Sequence, residues 1–122
     1  MTNTTDEAAV RGLMDAFVNG WNAGDGEACG RPFAMDADFT AIHGLRAHDR
    51  GTIARAHDEI LSTVFRGVKI RASVESIRFL RPDVAVAEFT LESDNFPFGV
   101  RRSMPVMVAT KGKGAWSIAV TI

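Results

Sequence analysis

The sequence predicts an α+β domain, with helices first and a long, mainly antiparallel sheet after them. Two patterns and their punctuation predict it. In the first half, apolar residues recur at steps of three and four, the spacing of amphipathic helices. In the second half they alternate, as half-buried strands do. The breakers Gly24, Arg81-Pro82-Asp83 and Lys111-Gly112-Lys113-Gly114 fall between these segments. Segregated helices and strands mark the α+β class rather than alternating βαβ units.

The elements follow in order. Asn3-Thr4-Thr5-Asp6-Glu7 supplies N-caps and first-turn carboxylates. Val10, Leu13, Met14, Phe17 and Trp21 then place one apolar stripe on a helix of about four turns, which Gly24 ends. Asp25 caps a second, short helix. Gly26, Gly30 and Pro32 make it a poor one, broken or shortened near Arg31. Met35-Asp36-Ala37-Asp38 reads as an acidic turn launching a strand, Phe39-Thr40-Ala41-Ile42, which His43-Gly44 closes. Asp49 caps a third helix, whose apolar face is Ile53, His57, Ile60, Leu61 and Val64.

The remainder reads as sheet. Ile70, Ala72 and Val74 share one parity, and Ile77 and Phe79 the other. A switch near Glu75-Ser76 predicts a β-bulge. Arg81-Pro82-Asp83-Val84 is a turn with proline in its favoured place, and Val84 to Leu91 alternates. Asn95 to Gly99 is a loop. Arg102 to Thr110 and Trp116 to Ile122 form a final hairpin across Lys111–Gly114. A strongly bent sheet wrapped on one long helix predicts a cone with a cavity at its wide end.

Composition narrows the function classes. The 122 residues predict a single domain, 1–122. A net charge of −1 without a basic stretch argues against nucleic acid. No apolar run approaches the roughly 20 residues of a membrane span, and MTNTTDEAAV lacks the basic and apolar regions of a signal peptide. No membrane association and a cytoplasmic location are expected. The single cysteine, Cys29, excludes an intramolecular disulfide and reads as a buried structural thiol. His43, His48 and His57 lie on different elements without HxH or HxxxH spacing, so no metal is expected. No GxGxxG follows a strand, so no nucleotide or flavin cofactor is expected.

Few polar residues are candidates for chemistry. His57 lies four residues from both Ile53 and Leu61, on the apolar face of the third helix. It is either a core histidine satisfied by backbone, or a cavity group able to bind or carry protons. His43 ends the first strand near the expected mouth. His48 precedes a cap and is expected to be exposed. Asp36 and Asp38 serve the turn. Glu88 is expected on the outer sheet surface; an inward placement would make it the leading base. Phe17, Trp21, Phe39, Ile60 and Leu61 make an apolar stripe that is core below and cavity wall above.

Six segments carry a family resemblance: WNAGDGEA (Trp21–Ala28), FAMDADF (Phe33–Phe39), Ile53-x-x-x-His57, Phe65-Arg66-Gly67, FLRPDVAVAEF (Phe79–Phe89) and Trp116-Ser117-Ile118-Ala119. In this order the chain resembles the nuclear transport factor two-like superfamily (SnoaL-like, cystatin-like fold). Within it, the chain is most similar to the SgcJ/EcaC group found with enediyne polyketide pathways. The resemblance implies a cone-shaped α+β barrel, with three N-terminal helices packed on a strongly curved, mainly antiparallel sheet. It also implies a homodimer through the outer sheet face and a pocket for a hydrophobic, often polyketide-like small molecule. The implied pocket is Phe17, Trp21, Phe39, Ala41, His43, His57, Ile60, Leu61 and Val106. Relatives usually end on a polar His-Asn pair, which would begin at Val120-Thr121-Ile122 here.

Ketosteroid isomerase shares this fold and uses an Asp base with a Tyr and a protonated Asp as oxyanion hole. Its helix end and first strand align without gaps onto Trp21–Ala41. The base position then holds Ala41, the Tyr position Phe17 and the Asp position Val106, so that chemistry is not expected. The sequence leaves two functions open. One is a cofactor-independent cyclase, isomerase or dehydratase with His57 as proton carrier. The other is a non-catalytic homodimeric module that binds a ligand or partner.

Overall fold

The computed structural model describes residues 4–41, 44, 46–99 and 101–122, with the backbone alone at Phe98. Helix α1 spans Thr4–Asn22 and buries Val10, Met14, Phe17 and Trp21 on one face, as the stripe predicts. Its first turn is tied across the molecule. The Asp6 carboxylate accepts from Trp116 Nε1 at 2.9 Å and Lys111 Nζ at 3.1 Å. These two bonds hold its carboxyl below the usual aspartate range. Helix α2 is only Gly26–Gly30, with the Asp25 side chain accepting from the Ala28 amide at 3.1 Å. It lies so close to helix α3 (Arg50–Ser62) that a Cβ on Gly26 would overlap the Asp58 amide and the Ala54 carbonyl. Asp49 caps α3, accepting from the Thr52 amide at 2.8 Å.

Among the described residues there are seven strands, in chain order β1 Phe33–Thr40, β2 Arg46–His48, β3 Arg71–Arg81, β4 Val84–Glu92, β5 Arg102–Ser103, β6 Val106–Gly112 and β7 Ala115–Thr121. They form one sheet in the order β2-β1-β7-β6-β4-β3, with β5 on β4. This corrects the expected barrel. Closure requires the two edge strands to share hydrogen bonds, and β2 and β3 stand at opposite edges of an open sheet. The sheet is neither closed nor strongly curved. It is also mixed, because β1 runs parallel to β7 while the other pairs are antiparallel.

Local expectations fare differently. The bulge is present: the β3–β4 register shifts between Val74 and Ser76, leaving Glu75 as the extra residue. The β6–β7 turn places Lys113 at φ 53° and Gly114 at φ 80°, the double positive-φ geometry that matches hairpin twist. The acidic turn is corrected, since Met35–Asp38 lies inside β1. The β1–β7 register slips between Phe33 and Asp38, so a bulge turns Met35 and Asp36 outward while Ala37 stays buried. The strand expected over 102–110 is split in two at Met104-Pro105. Proline has no amide hydrogen for the ladder, but its carbonyl still accepts from the Phe89 amide at 3.1 Å.

The core lies between α1 and the inner sheet face. That face is built from Ala85, Ala87 and Phe89 of β4, Met107 and Ala109 of β6, and Ile118 of β7, all buried. Three alanines lie at its centre, and bulk returns at Phe89 and Ile118. Burying one large side chain such as Phe33 or Phe89 stabilises the fold by about 1.5–3 kcal/mol.

Candidate functional site

The C-terminal half of α1 presents Met14, Phe17 and Trp21 to a cavity of about 340 Å³. Backbone anchors fix this wall. Trp21 Nε1 donates to the Val68 carbonyl at 2.9 Å, so its one polar atom is used before the ring meets the cavity. Asn22 next to it makes a double bridge: Nδ2 donates to the Ile70 carbonyl at 2.9 Å, and Oδ1 accepts from the Ile70 amide at 2.8 Å. Ser93 Oγ donates to the Lys69 carbonyl at 2.6 Å. Side chains thus serve the backbone of 68–70, just before the β3 ladder begins.

Helix α3 contributes His57 and Ile60. His57 is 1% exposed, with Nδ1 2.8 Å from the Ile53 carbonyl oxygen, one turn back. A carbonyl only accepts, so Nδ1 carries the hydrogen. In the neutral ring Nε2 is then the acceptor nitrogen. The imidazole meets Phe39 at 4.8 Å between centroids, Phe17 at 5.3 Å and Trp21 at 6.1 Å, each near perpendicular. Such edge-to-face contacts fix the ring's orientation.

The far wall comes from β1 (Phe33, Phe39, Thr40), Ala41, Phe65, Ile70 and Leu91, and from Ile118 and Thr121 of β7. The rim holds Phe96, Pro97, Ser103, Met104, Pro105 and Ile122. Met104 and Ile122 are each 69% exposed. The polar lining residues are His57, Thr40, Ser103 and Thr121; among the described residues no Asp, Glu, Lys or Arg lines the cavity. Size and lining match small-molecule sites, which run from about 300 to 1,000 Å³ and are mostly apolar.

Six of the sequence candidates come together here: Phe17, Trp21, Phe39, Ala41, His57 and Ile60. Leu61 is buried but lies off this cavity, beside Trp21 and Phe65 in a shallow cleft. Val106 is absent from the described wall. Met107 and Ala109 take the inward positions of β6, so Val106 has outward parity and pairs with Ile122 through two 3.0 Å backbone bonds. His43 lies outside the described residues. Sequence reasoning missed Met14, Phe33, Phe65, Ile70, Leu91 and Phe96 as wall residues. Helical spacing carried the signal for Met14, which sits one turn before Phe17.

Other candidates settle elsewhere. Glu88 is exposed on the outer sheet face and accepts from Ser76 Oγ at 3.2 Å. Asp38 and His48 pair across β1 and β2 at 2.9 Å. The Asp38 carboxylate raises the His48 imidazole above its usual range by hydrogen bond and charge. Cys29 is fully buried against the Phe17 carbonyl, and burial, followed by the charges of Asp25 and Asp58, pushes its thiol up to about 12. Among the described residues, no group of three or more His, Cys, Asp or Glu could hold a metal ion. None of the described helices is long and apolar enough to cross a membrane.

Three solved structures illustrate what the chain is similar to. A domain of unknown function with a cystatin-like fold from Nostoc punctiforme is 30% identical, with a TM-score of 0.88, over 98% of this chain and 76% of that one. An uncharacterised protein with a cystatin-like fold from Caulobacter vibrioides is 24% identical, with a TM-score of 0.81, over 94% and 85%. A ketosteroid isomerase-like protein from Erwinia carotovora atroseptica is 16% identical, with a TM-score of 0.74, over 93% and 91%. No protein-family model matches the chain, and no curated protein matches it.

Proposed function

The chain belongs to the cystatin-like-fold family of the Nostoc punctiforme domain, and from that premise we propose that it is a small-molecule pocket protein of secondary-metabolism type. The proposed ligand is apolar and polyketide-like, held in the cavity between α1, α3 and the sheet. The carrying observation is the cavity itself: about 340 Å³, walled by aromatic and aliphatic side chains, with one buried imidazole. The sequence motifs place the chain near the SgcJ/EcaC group, which supports the choice of ligand class.

As an enzyme, the protein would act by cofactor-independent cyclisation, isomerisation or dehydration. Holding a flexible substrate in one reactive conformer in a dry cavity supplies much of the rate, and His57 is the proton carrier. Steroid-isomerase chemistry does not fit, because Phe17 and Ala41 are apolar where that mechanism needs polar groups. The test is calorimetric titration with neutral aromatic compounds, repeated on Ala41→Trp, which fills the cavity. Micromolar binding lost in Ala41→Trp with folding intact supports the reading; absence of binding to the unmodified protein rejects it.

A second reading, a homodimer through the outer sheet face, has its own support. The strand registers align Arg78, Val86, Val108, Val120 and Asp38 in one row across β3, β4, β6, β7 and β1. An apolar centre with a cation at one end and a carboxylate at the other is self-complementary under two-fold rotation. Sedimentation of Val108→Arg against the unmodified protein tests it; equal masses reject it.

A further inference from the structure

We infer that Thr121 is a specificity-determining residue of the cavity: a bulge in β7 turns its side chain inward, where the hydroxyl binds one neutral oxygen, a hydroxyl or a carbonyl, on an otherwise apolar ligand. This inference rests on the pocket reading above and narrows it.

The register of β7 sets the placement. Ala109 of β6 pairs with Ile118, Val108 with Val120 and Met107 with Thr121, so Ala119 is an extra residue in β7. Strand side chains alternate between faces. An unbroken β7 would therefore follow the inward Ile118 with Val120 and Ile122 on the inner face. The extra residue reverses that parity and puts Thr121 there instead, beside the buried Met107. On the other side of β7, Thr121 pairs with Phe39, itself a wall residue. Thr121 is 7% exposed and lines the cavity. A bulge beside a site commonly re-aims a side chain; here it exchanges a valine for a threonine.

The hydroxyl of Thr121 is also uncommitted. Buried hydroxyls normally have a partner. Thr90 donates to the Glu75 carboxylate at 2.9 Å, and Ser93 donates to the Lys69 carbonyl at 2.6 Å. Among the described residues the Thr121 hydroxyl has no such bond. A hydroxyl both donates and accepts, so it can serve a carbonyl or a hydroxyl on a ligand. Thr40 and Ser103 line the cavity too, but both are partly exposed, and water competes for their hydroxyls. Thr121 gains most from a ligand partner. Among the described residues no Asp, Glu, Lys or Arg lines the cavity. A carboxylate or ammonium on the ligand would be buried without an opposite charge, which is costly, so the oxygen that Thr121 meets is a neutral one.

The experiment uses three neutral probes: naphthalene, 2-naphthol and 2-acetylnaphthalene. Their affinities are measured by calorimetry at neutral pH on the unmodified protein and on Thr121→Val, which keeps the shape and removes the hydroxyl. Relative to naphthalene, the oxygenated probes should bind about tenfold more weakly to Thr121→Val than to the unmodified protein, the worth of one hydrogen bond. Naphthalene should bind Thr121→Val at least as well, and thermal unfolding of the free variant should not fall. Thr121→Ser, which retains the hydroxyl, should retain the preference. Should Thr121→Val not fold, Thr121→Ser against Thr121→Ala carries the same comparison. A selective loss with either oxygenated probe supports the inference. A loss with neither, or an equal loss that includes naphthalene, overturns it and leaves the pocket reading standing. No binding by any probe to the unmodified protein rejects both.

Discussion

Replacing Asn22 by Ala should be among the most damaging polar substitutions in this fold, although Asn22 is neither charged nor fully buried. Its side chain makes two hydrogen bonds, at 2.9 and 2.8 Å, to the carbonyl and amide of a single residue, Ile70. Ile70 is only 6% exposed, so neither backbone group regains full solvation when the partner is removed. Each bond contributes about 0.5–1.5 kcal/mol net, and each group left without a partner costs about 1–3 kcal/mol. Allowing for partial access of water, the expected loss is about 2–4 kcal/mol. The bond from Lys69 Nζ to the Asn22 backbone carbonyl, at 2.6 Å, survives the change and does not dilute the comparison. Urea unfolding reads the loss: with m of about 2 kcal/mol/M, the midpoint should fall by roughly 1–2 M. Asn22→Asp keeps the acceptor for the Ile70 amide but sets a carboxylate oxygen against the Ile70 carbonyl, so it should also destabilise. Hydrogen exchange at the Ile70 amide should accelerate strongly in Asn22→Ala. A change in stability below about 0.5 kcal/mol with unchanged Ile70 protection would refute the view that side chains substitute for the ladder here.

Three further outcomes are expected. The His48 imidazole is raised by Asp38, so the pair contributes stability below the ordinary value of 6.5 and loses it as pH rises through the higher folded value; in Asp38→Asn an NMR titration of His48 should move down, and an unchanged midpoint would contradict the pairing. Gly26→Ala should destabilise by about 1–3 kcal/mol, because its Cβ would meet the Asp58 amide and Ala54 carbonyl; thermal unfolding measures this, and a neutral result would mean that α2 and α3 do not approach so closely. Cys29, with its thiol pushed up to about 12, should resist a thiol reagent at mildly alkaline pH until the protein is denatured; prompt modification of the native protein would contradict its burial.

Much of this architecture was legible because its signals are local. The stripe Val10 to Trp21, the Asp25 and Asp49 caps and the parity switch at Glu75 are each set within a few residues, and each element is present. The open mixed sheet was not legible. Pairing β1 parallel to β7 joins Phe33 to Ile118, and nothing in either segment announces the other. Met35–Asp38 misled because alternating acids suit a solvent-facing strand as well as a turn. For the site, the four-residue step from Ile53 to His57 carried the backbone bond in plain view. Val106 was drawn from alignment to another protein, whereas the alternation within β6 gives the inward positions to Met107 and Ala109.

The place of β7 in the sheet has a consequence for how the protein comes into being. β7 follows every other strand in the chain, yet it lies between β1 and β6 and is the one strand joining the two parts of the sheet. A nascent chain that has delivered all the residues before it holds two separate strand groups and an unsealed apolar trough. The loop closed by the β1–β7 pairing spans most of the molecule, and such long-range closure slows folding. Thr121, the last residue of β7, and Ile122 after it help line the cavity. A binding-competent pocket therefore waits on β7, and until that strand pairs the apolar faces that it covers stay open.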